Sequence, residues 1–323
     1  MKGAKRILII KSSSMGDIIH ALPVAHDIRR ALPDARIDWV AEESFRDIPL
    51  LAPAVEAVRV TAFRRWRKSL LSAGTRAEIA SLKRELTAEH YDCVLDIQGL
   101  MRSALVARWT GVPSTGYTWG TIREPLASLA YAHKLDLPES LGAVKRYRLA
   151  AAETLGYEID PEHPHFGLLA KGEPSVKTDA KTVSFAVNTS RDEKLWPDDS
   201  WMELGRRFIA EGLTPVIYWG GAKEEARAKR VAAGIPGAVV APRARLSQVA
   251  VSLAQAELMV GVDTGLAHLA AALGCPSVGI FVATPTETLR LIGDGPCESL
   301  GGTNQMPTVD EVFEASRRVR AQK

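Results

Sequence analysis

The sequence has few cysteines and no motif built on them. Its 323 residues include only Cys93, Cys275 and Cys297, which lie far apart. Without a C-x-x-C pair or an even-numbered framework, neither a disulfide scaffold nor a structural zinc site is predicted. The seven histidines form no metal-binding pattern either. We therefore expect a reduced, cytoplasmic setting and no bound metal.

Long hydrophobic runs are also missing. The apolar run near the start, "ILII", is interrupted by Lys11 and is too short for a signal peptide. The longest apolar region, "LAHLAAALGCPSVGIFVA", contains His268 and Pro276, and its pattern indicates a helix, a turn and a strand. These absences predict a soluble protein.

Three common nucleotide and diphosphate motifs do not occur. The lack of G-x-G-x-x-G argues against a nicotinamide enzyme, and the lack of G-x-x-x-x-G-K-[ST] argues against a P-loop ATPase. No D-x-D occurs, so a diphosphate bridged by a metal ion is not expected. Cationic side chains and a helix dipole would have to replace the metal.

What the sequence does contain is an alternation of short Val-, Ile- and Leu-rich runs with helical patterns. This alternation is typical of parallel sheets with helices on both faces. It begins at "RILII", begins again at "TVSFAV", and predicts helices that include 17–32, 101–109, 120–131 and 143–155 in the first half.

The two sets of strands and helices predict two domains. We expect α/β, Rossmann-like, doubly wound domains over 1–172 and 181–323 that face each other across a cleft. The polar segment between them, "KGEPSVKTDAK", is broken by Pro174 and is typical of a linker. A final helix over 308–321 is predicted, with Thr308 as N-cap and Glu311 three residues on.

The small net charge of +3 is distributed unevenly. Residues 1–172 contain 24 Lys+Arg and 20 Asp+Glu, and the remaining residues contain 17 and 18. Basic residues cluster in "AFRRWRKSLL", "GTIREP" and "AVKRYR", and the cations that we select are Arg64, Arg65, Lys68, Arg123 and Arg146. Such a cluster suits an anionic small molecule or lipid headgroup, whereas scattered surface charge is the alternative. Nucleic acid is not an expected partner.

A lone carboxylate stands where the first strand passes into a helix, in "IIKSSSMGDIIHALP". Ligands of open α/β sheets bind beyond the carboxyl ends of the strands, so Asp17 is expected at a ligand-binding edge. It could act there as a base, or it could cap the helix 17–32, and both roles can hold.

In the second half, "LMVGVDTGLAHLAAALG" is a buried strand that passes through Asp263, Thr264 and Gly265 into an alanine-rich helix. The free amides at a helix N-terminus bind anions, and Gly265 leaves space for a phosphate. Capping by Asp263 is the alternative. The triplet "DTG" also occurs in aspartic proteases, but the helix that follows does not suit an all-β setting.

The loop "NTSRDEKLWP" offers Thr189, Ser190, Arg191 and Lys194, whose hydroxyls and cations suit a diphosphate. A solvated charged loop is the alternative. After the next strand, Glu224 stands where a carboxylate could accept bonds from ribose hydroxyls, and a surface salt bridge is an equal possibility.

Six collinear motifs resemble one family almost end to end. They are "KSSSMGDIIHALP", "RRWRKS", "REPLAS", "TSRDEKLWP", "WGGAKEEARAKR" and "VDTGLAHLAAALG". In order and spacing they are similar to those of the lipopolysaccharide heptosyltransferase I family, glycosyltransferase family 9, whose members use ADP-heptose in inner-core synthesis.

The resemblance implies an inverting, metal-independent GT-B transferase without a cofactor, which adds L-glycero-D-manno-heptose from ADP-heptose to Kdo of Kdo2-lipid A. It implies that Asp17 is the general base and that Lys194 opposes the charge of the leaving ADP. The implied donor-binding residues are Thr189, Ser190, Lys194, Glu224, Asp263, Thr264, Gly265, Leu266 and His268. The basic cluster would hold the acceptor. We expect a monomer that is peripherally associated with the cytoplasmic face of the inner membrane.

The chain departs from the family pattern around the donor base. Ala244 stands beside Arg245 where methionine is frequent, and Val187 and Asn188 precede the shared hydroxyls. Heptosyltransferase II, or a transferase acting on a related core sugar, is therefore the nearest alternative. A non-catalytic protein that binds sugar nucleotide or lipopolysaccharide and a two-domain epimerase are the others.

Overall fold

The computed structural model describes residues 3–189, 191–283 and 290–323. The chain divides into two compact units, Met1–His165 and Phe166–Lys323. Each unit has its own six-stranded parallel sheet. The domain limits expected at 172 and 181 stay predictions.

The first unit alternates strands and helices along the chain. Its strands are β1 (Arg6–Ile10), β2 (Arg36–Glu42), β3 (Val55–Thr61), β4 (Cys93–Asp96), β5 (Ser114–Tyr117) and β6 (His133–Leu135). Its helices are α1 (Met15–Ala21), α2 (Pro23–Ala31), α3 (Phe63–Trp66), α4 (Ala73–Ala88), α5 (Met101–Trp109) and α6 (Ala143–Leu155), with 3₁₀ turns at Glu43–Phe45, Pro49–Leu51, Pro125–Ala130 and Glu139–Leu141. All strand pairings are parallel, in the order β3-β2-β1-β4-β5-β6.

Two helices of the first unit differ from the sequence prediction, and proline explains both. The helix predicted over 17–32 is two helices, because Pro23 has no amide hydrogen to donate to Ile19 and a new helix begins there. In the region predicted as a helix over 120–131, Glu124 is extended ahead of Pro125, and only the 3₁₀ turn Pro125–Ala130 follows.

The second unit repeats the alternation. Its strands are β7 (Thr182–Ala186), β8 (Thr214–Ile217), β9 (Val239–Val240), β10 (Leu258–Val262), β11 (Ser277–Phe281) and β12 (Cys297–Gly301). Its helices are α7 (Asp198–Ala210), α8 (Ala222–Ala233), α9 (Leu246–Gln255), α10 (Gly265–Ala272) and α11 (Val309–Ala321), with a 3₁₀ turn at Asp192–Lys194. The strand order is β12-β11-β10-β7-β8-β9, again parallel throughout.

Apolar strand residues hold both sheets in place. In the first unit Leu8, Ile10 and Val94 are fully buried, and in the second Phe185 and Val260 are fully buried. Each such side chain contributes about 1.5–3 kcal/mol by leaving water. The strands are thereby fixed in register, and so are the loops that leave their carboxyl ends.

The two sheets share one strand order, and each reverses direction at one point. The reversal lies between β1 and β4 in the first unit and between β7 and β10 in the second. Loops diverge on either side of such a switch point and leave a crevice, which is where open α/β sheets bind ligands. The residues that follow these four strands are therefore the candidates for function.

Candidate functional site

Asp17 lies at the start of α1, just beyond β1. Ser14 precedes the helix, and its backbone N–H and its hydroxyl donate to Asp17 Oδ2 at 3.0 and 2.7 Å. Asp17 therefore takes part in helix capping, as the alternative interpretation held. Only one of its oxygens does so, and the side chain stays 31% exposed.

The second oxygen of Asp17 faces a buried lysine and a tyrosine. Lys11 Nζ lies 3.6 Å from Oδ1, and the Tyr147 hydroxyl donates to Oδ1 over a long 3.4 Å. Burial acts to raise the pKa of Asp17, but the Lys11 charge and the bonds from Ser14 outweigh it and hold the pKa below its usual value. Asp17 is thus ionised at neutral pH and has one weakly engaged oxygen.

The loop before Asp17 is held from the neighbouring strand. Gln98, just beyond β4, accepts bonds from the backbone N–H groups of Ser12 and Ser13 at 3.0 and 3.1 Å. Arg102 donates to the Ser13 hydroxyl at 2.9 Å. The two sides of the first switch point are therefore tied together by hydrogen bonds.

Sequence reasoning did not identify Lys11, Gln98 or Tyr147 as site residues. In the sequence, Lys11 stands out only as the residue that interrupts an apolar run. The available signal was position, because Lys11 and Gln98 follow the two strands that flank the switch point. Tyr147 lies on α6, 136 residues from Lys11, and nothing local in the sequence relates them.

The basic side chains predicted near residue 65 are exposed, and some of them have partners. Arg64 and Lys68 are exposed, and the Arg64 guanidinium lies 5.3 Å from the centre of the Phe45 ring. Arg65 is exposed but forms ion pairs with Glu43 and Glu78 at 3.0 and 2.9 Å. These contacts are solvent-exposed and leave the side chains accessible.

Arg123 and Arg146 differ in how far their side chains are exposed to solvent. Arg123 is exposed, whereas Arg146 is buried, donates to the carbonyls of Leu137 and Thr121, and lies 3.8 Å from the centre of the Tyr117 ring. Arg146, which the sequence predicted to bind the acceptor, is therefore not an exposed cation. Its guanidinium joins segments inside the first unit because buried carbonyls there need donors.

At the second switch point, residues after β7 meet residues after β10. The Thr189 hydroxyl donates to the backbone carbonyl of Asp263 at 3.0 Å, and Lys194 Nζ bonds to the Asp263 carboxylate. His268 Nε2 lies 3.7 Å from the other carboxylate oxygen. The structure thus brings together four of the predicted donor residues, Thr189, Lys194, Asp263 and His268.

The N-terminus of α10 lies just beyond the end of β10. Thr264 is the N-cap residue, and Gly265 and Leu266 form the first turn. The first amides of a helix have no partner within it and can bind an anion. The Asp263 carboxylate bonds to Lys194, and its capping of this helix stays an alternative interpretation.

Glu224 lies in the first turn of α8, where its carboxylate accepts a bond from the Gly220 amide at 2.6 Å. A cavity of about 860 Å³ adjoins it, with Thr189, Trp196 and Arg227 among its lining residues. Ser190, which was predicted to bind the diphosphate, lies outside the described residues. Among the residues that the structure describes, no group of three His, Cys, Asp or Glu side chains could hold a metal ion.

Comparison with known proteins gives consistent matches. A family model described as glycosyltransferase family 9 (heptosyltransferase) matches residues 79–315. Lipopolysaccharide heptosyltransferase 1 of Escherichia coli strain K12 is 42% identical over 315 residues, 95% of this chain and 99% of the relative. Lipopolysaccharide heptosyltransferase 2 of the same strain is 25% identical over 297 residues, 85% of this chain and 82% of the relative.

Two solved structures are similar along almost the whole chain. E. coli heptosyltransferase WaaC with ADP matches with a TM-score of 0.87 at 36% identity, covering 97% of this chain and 99% of that one. WaaC with ADP-2-deoxy-2-fluoro heptose matches with a TM-score of 0.83 at 37% identity, covering 97% and 98%.

Two parallel α/β units with polar switch-point loops, together with these structural matches, define a glycosyltransferase of the two-domain GT-B fold. The family match extends over more than half of the chain. The chain belongs to glycosyltransferase family 9, the heptosyltransferases. The family expected from the six sequence motifs is thereby confirmed.

Proposed function

We propose that the protein is a lipopolysaccharide heptosyltransferase I, which transfers L-glycero-D-manno-heptose from ADP-heptose to Kdo of Kdo2-lipid A. The observation that carries the proposal is the 42% identity to lipopolysaccharide heptosyltransferase 1 over nearly the full length of both chains. The ADP-2-deoxy-2-fluoro heptose of a structural relative supports ADP-heptose as the donor.

The proposed reaction is a single displacement with inversion at the anomeric carbon of the heptose. The Kdo hydroxyl oxygen attacks this carbon while its proton passes to the Asp17 carboxylate. The bond from the carbon to the phosphate oxygen breaks, and ADP leaves with the electron pair. Asp17 suits the role of base because it is ionised at neutral pH and its Oδ1 has only long contacts with Lys11 and Tyr147.

The donor diphosphate is assigned to the second switch point. Lys194 bonds to Asp263 but has three N–H groups, so it can keep that bond and still donate to a phosphate. The first amides of α10 offer further donors, and Thr189, Ser190 and Glu224 complete the proposed donor set. Lys194 and the helix would stabilise the leaving group without a metal ion.

The acceptor is assigned to exposed cations of the first unit, namely Arg64, Arg65, Lys68 and Arg123. Leu70 and Leu71 follow this cluster and are 57% and 88% exposed. Cations beside exposed leucines suit the interface of an anionic bilayer, which supports peripheral association with the cytoplasmic face of the inner membrane. No helix in the described part of the chain is long and apolar enough to span a membrane.

Mass spectrometry of the reaction products tests the proposal. The protein is incubated with ADP-heptose and Kdo2-lipid A, and we expect the acceptor to gain one heptose for each ADP released. Transfer only to an acceptor that already carries a heptose would assign the protein as heptosyltransferase II. An altered donor without acceptor would indicate an epimerase, and a donor that is bound but unchanged would indicate a binding protein.

A further inference from the structure

Lys11 is a buried lysine at the end of β1, and the proposed reaction gives it no role. Only 3% of its side chain is exposed, and its Nζ donates to the Tyr147 hydroxyl at 2.8 Å. The same ammonium lies 4.5 Å from the centre of the Tyr147 ring. Lysine is almost never buried to this extent unless it is paired, so the contacts of Lys11 indicate its purpose.

The contacts of Lys11 converge on the oxygen of Asp17 that helix capping leaves available. Ser14 occupies Oδ2 with two hydrogen bonds, whereas Lys11 lies 3.6 Å from Oδ1, beyond normal hydrogen-bonding distance. Lys11 therefore acts on Oδ1 through its charge. Oδ1 keeps the capacity to accept a proton because no short bond occupies it.

We propose that Lys11 is the positioning residue of the base: its buried ammonium, fixed by the Tyr147 hydroxyl, keeps Asp17 ionised and its Oδ1 open to the acceptor proton. This inference rests on the proposed function, in which Asp17 is the base. It adds a residue that never touches substrate but determines the pH range in which the base is active.

The charges around this pair act in both directions. Asp96, the last residue of β4, favours the charged form of Lys11, and Arg123, in the loop after β5, opposes it. His20, one turn further along α1, favours the ionised form of Asp17 when it is protonated, and Arg146 and Glu139 influence Tyr147. Burial lowers the pKa of Lys11, and the charges of Asp17 and Asp96 partly offset that effect.

The pH dependence of acceptor-dependent ADP release tests this role. Lys11→Met removes the charge but keeps a long side chain, and kcat/KM is measured from about pH 3 to pH 9 so that the wild-type acid limb lies within the range. An opposite charge at this distance lowers the pKa of a carboxyl by about 1–3 units, so we expect the acid limb to move up by that amount and the rate to recover as pH rises. Lys11→Arg keeps a positive charge, so its acid limb of kcat/KM should lie near that of the wild type.

Tyr147→Phe is the matched control, because it removes the hydroxyl but keeps the ring and the Lys11 charge. Its acid limb should move less than that of Lys11→Met. ADP-heptose affinity, assigned to the second unit, should be unchanged in both variants. A loss of rate that is equal at every pH, with the acid limb unmoved, would mean that Lys11 is only structural and would overturn the proposal.

A direct measurement keeps the proposal testable if Lys11→Met does not fold. Carbon NMR of the wild-type Asp17 carboxyl should give a pKa below the ordinary aspartate value of about 3.9, and a value at or above it would overturn the proposal. The two proposals also fail separately. Turnover retained by Asp17→Asn would refute the base, whereas an inactive Asp17→Asn with an unmoved Lys11→Met limb would refute only the role of Lys11.

Discussion

The two units each place a Lys–Asp pair at the switch point of the same strand order, but they expose different partners. In the first unit the Lys11 side chain is 3% exposed and that of Asp17 31%. In the second, the side chains of Lys194 and Asp263 are both 12% exposed. In the first pair the carboxylate is therefore much more accessible to solvent than the lysine. In the second pair the two side chains are equally accessible.

The position of each aspartate relative to its helix explains the difference. Asp17 lies inside α1, where bonds from Ser14 occupy one carboxylate oxygen and the other oxygen lies near Lys11 and Tyr147. Asp263 lies before the N-cap Thr264, and Lys194 reaches it from the loop that follows the neighbouring strand. The same pair of residue types thus takes up two arrangements, for which we propose a base in the first unit and a cation beside the start of α10 in the second.

The largest effect is expected from Asp17→Asn, which removes the charge that the first pair presents. General base catalysis typically contributes about two to four orders of magnitude in rate, so turnover should fall by that amount. ADP-heptose affinity, measured by calorimetry, should hardly change. Asp34→Asn, at an exposed aspartate of the same unit, is the control and should have wild-type activity. Near wild-type turnover of Asp17→Asn would contradict the assignment.

Lys194→Ala should have the next largest effect, because it removes the cation of the second pair. Loss of one preorganised group that stabilises developing charge costs about two to three orders of magnitude in kcat. Lys229→Ala, which removes an exposed lysine paired with Glu225, is the control and should be neutral.

Wild-type turnover should also survive EDTA. If chelation stops the reaction and magnesium or manganese restores it, the metal-independent mechanism is wrong.

A smaller effect is expected from the triple change Arg64→Ala, Arg65→Ala, Lys68→Ala. The apparent KM for the lipid acceptor should rise several-fold while donor affinity stays constant, because the cations contribute individually little but act together. The rise should shrink at high salt, since charges are screened over about 10 Å at 0.1 M. Kinetics at two salt concentrations measure both effects.

The control for this cluster is the change of Lys83, Arg84 and Arg108 to alanine. These cations are exposed, and they lie near the ends of α4 and α5, which lead away from the carboxyl edge of the sheet. An equal rise in KM from the control would indicate that only overall charge matters. An equal loss of donor affinity in the Arg64, Arg65, Lys68 variant would place these residues outside an acceptor site.

The strands of the two units differ in how well the sequence alone predicts them. Strands with continuous aliphatic runs, such as "RILII" and "LMVGV", are predicted correctly as β1 and β10. By contrast, β3 ("VEAVRVT"), β5 ("STGY"), β6 ("HKL") and β12 ("CESLG") are not identified; the last three contain few aliphatic residues, and their order depends on pairing with neighbouring strands. Hydrogen bonding across the sheet overrides local propensity there.

The same distinction applies to the site residues. Asp17, Lys194 and Asp263 could be selected because each stands shortly after a predicted strand, near the start of the next helix. The contacts that shape them could not, because Gln98 binds Ser12 across 86 residues and Tyr147 binds Lys11 across 136. Such contacts depend on the strand order, which a single sequence does not specify.

The smallest effect is expected from substitutions in the two helix-capping boxes, one at Ser14 and one at Thr308. Thr308 accepts a bond from the Glu311 amide and donates to its carboxylate at the start of α11, as Ser14 does for Asp17 in the first unit. Thr308→Ala should lower the free energy of unfolding by about 0.5–2 kcal/mol and leave kcat unchanged. Ser14→Ala should cost a similar amount of stability, but it should also move the acid limb of activity upward, because it removes a bond that favours ionised Asp17.

Thermal unfolding at several pH values sharpens this last comparison. Bonds from Thr308 hold the pKa of Glu311 below its usual value, so their contribution is present at neutral pH and is lost as the pH falls through the folded-state pKa. The difference in Tm between wild type and Thr308→Ala should therefore diminish in acid. If Ser14→Ala behaves like Thr308→Ala in both stability and activity, the capping box at Ser14 serves only the helix. The hydrogen bond from Ser14 then does not influence the pKa of Asp17 in the reaction.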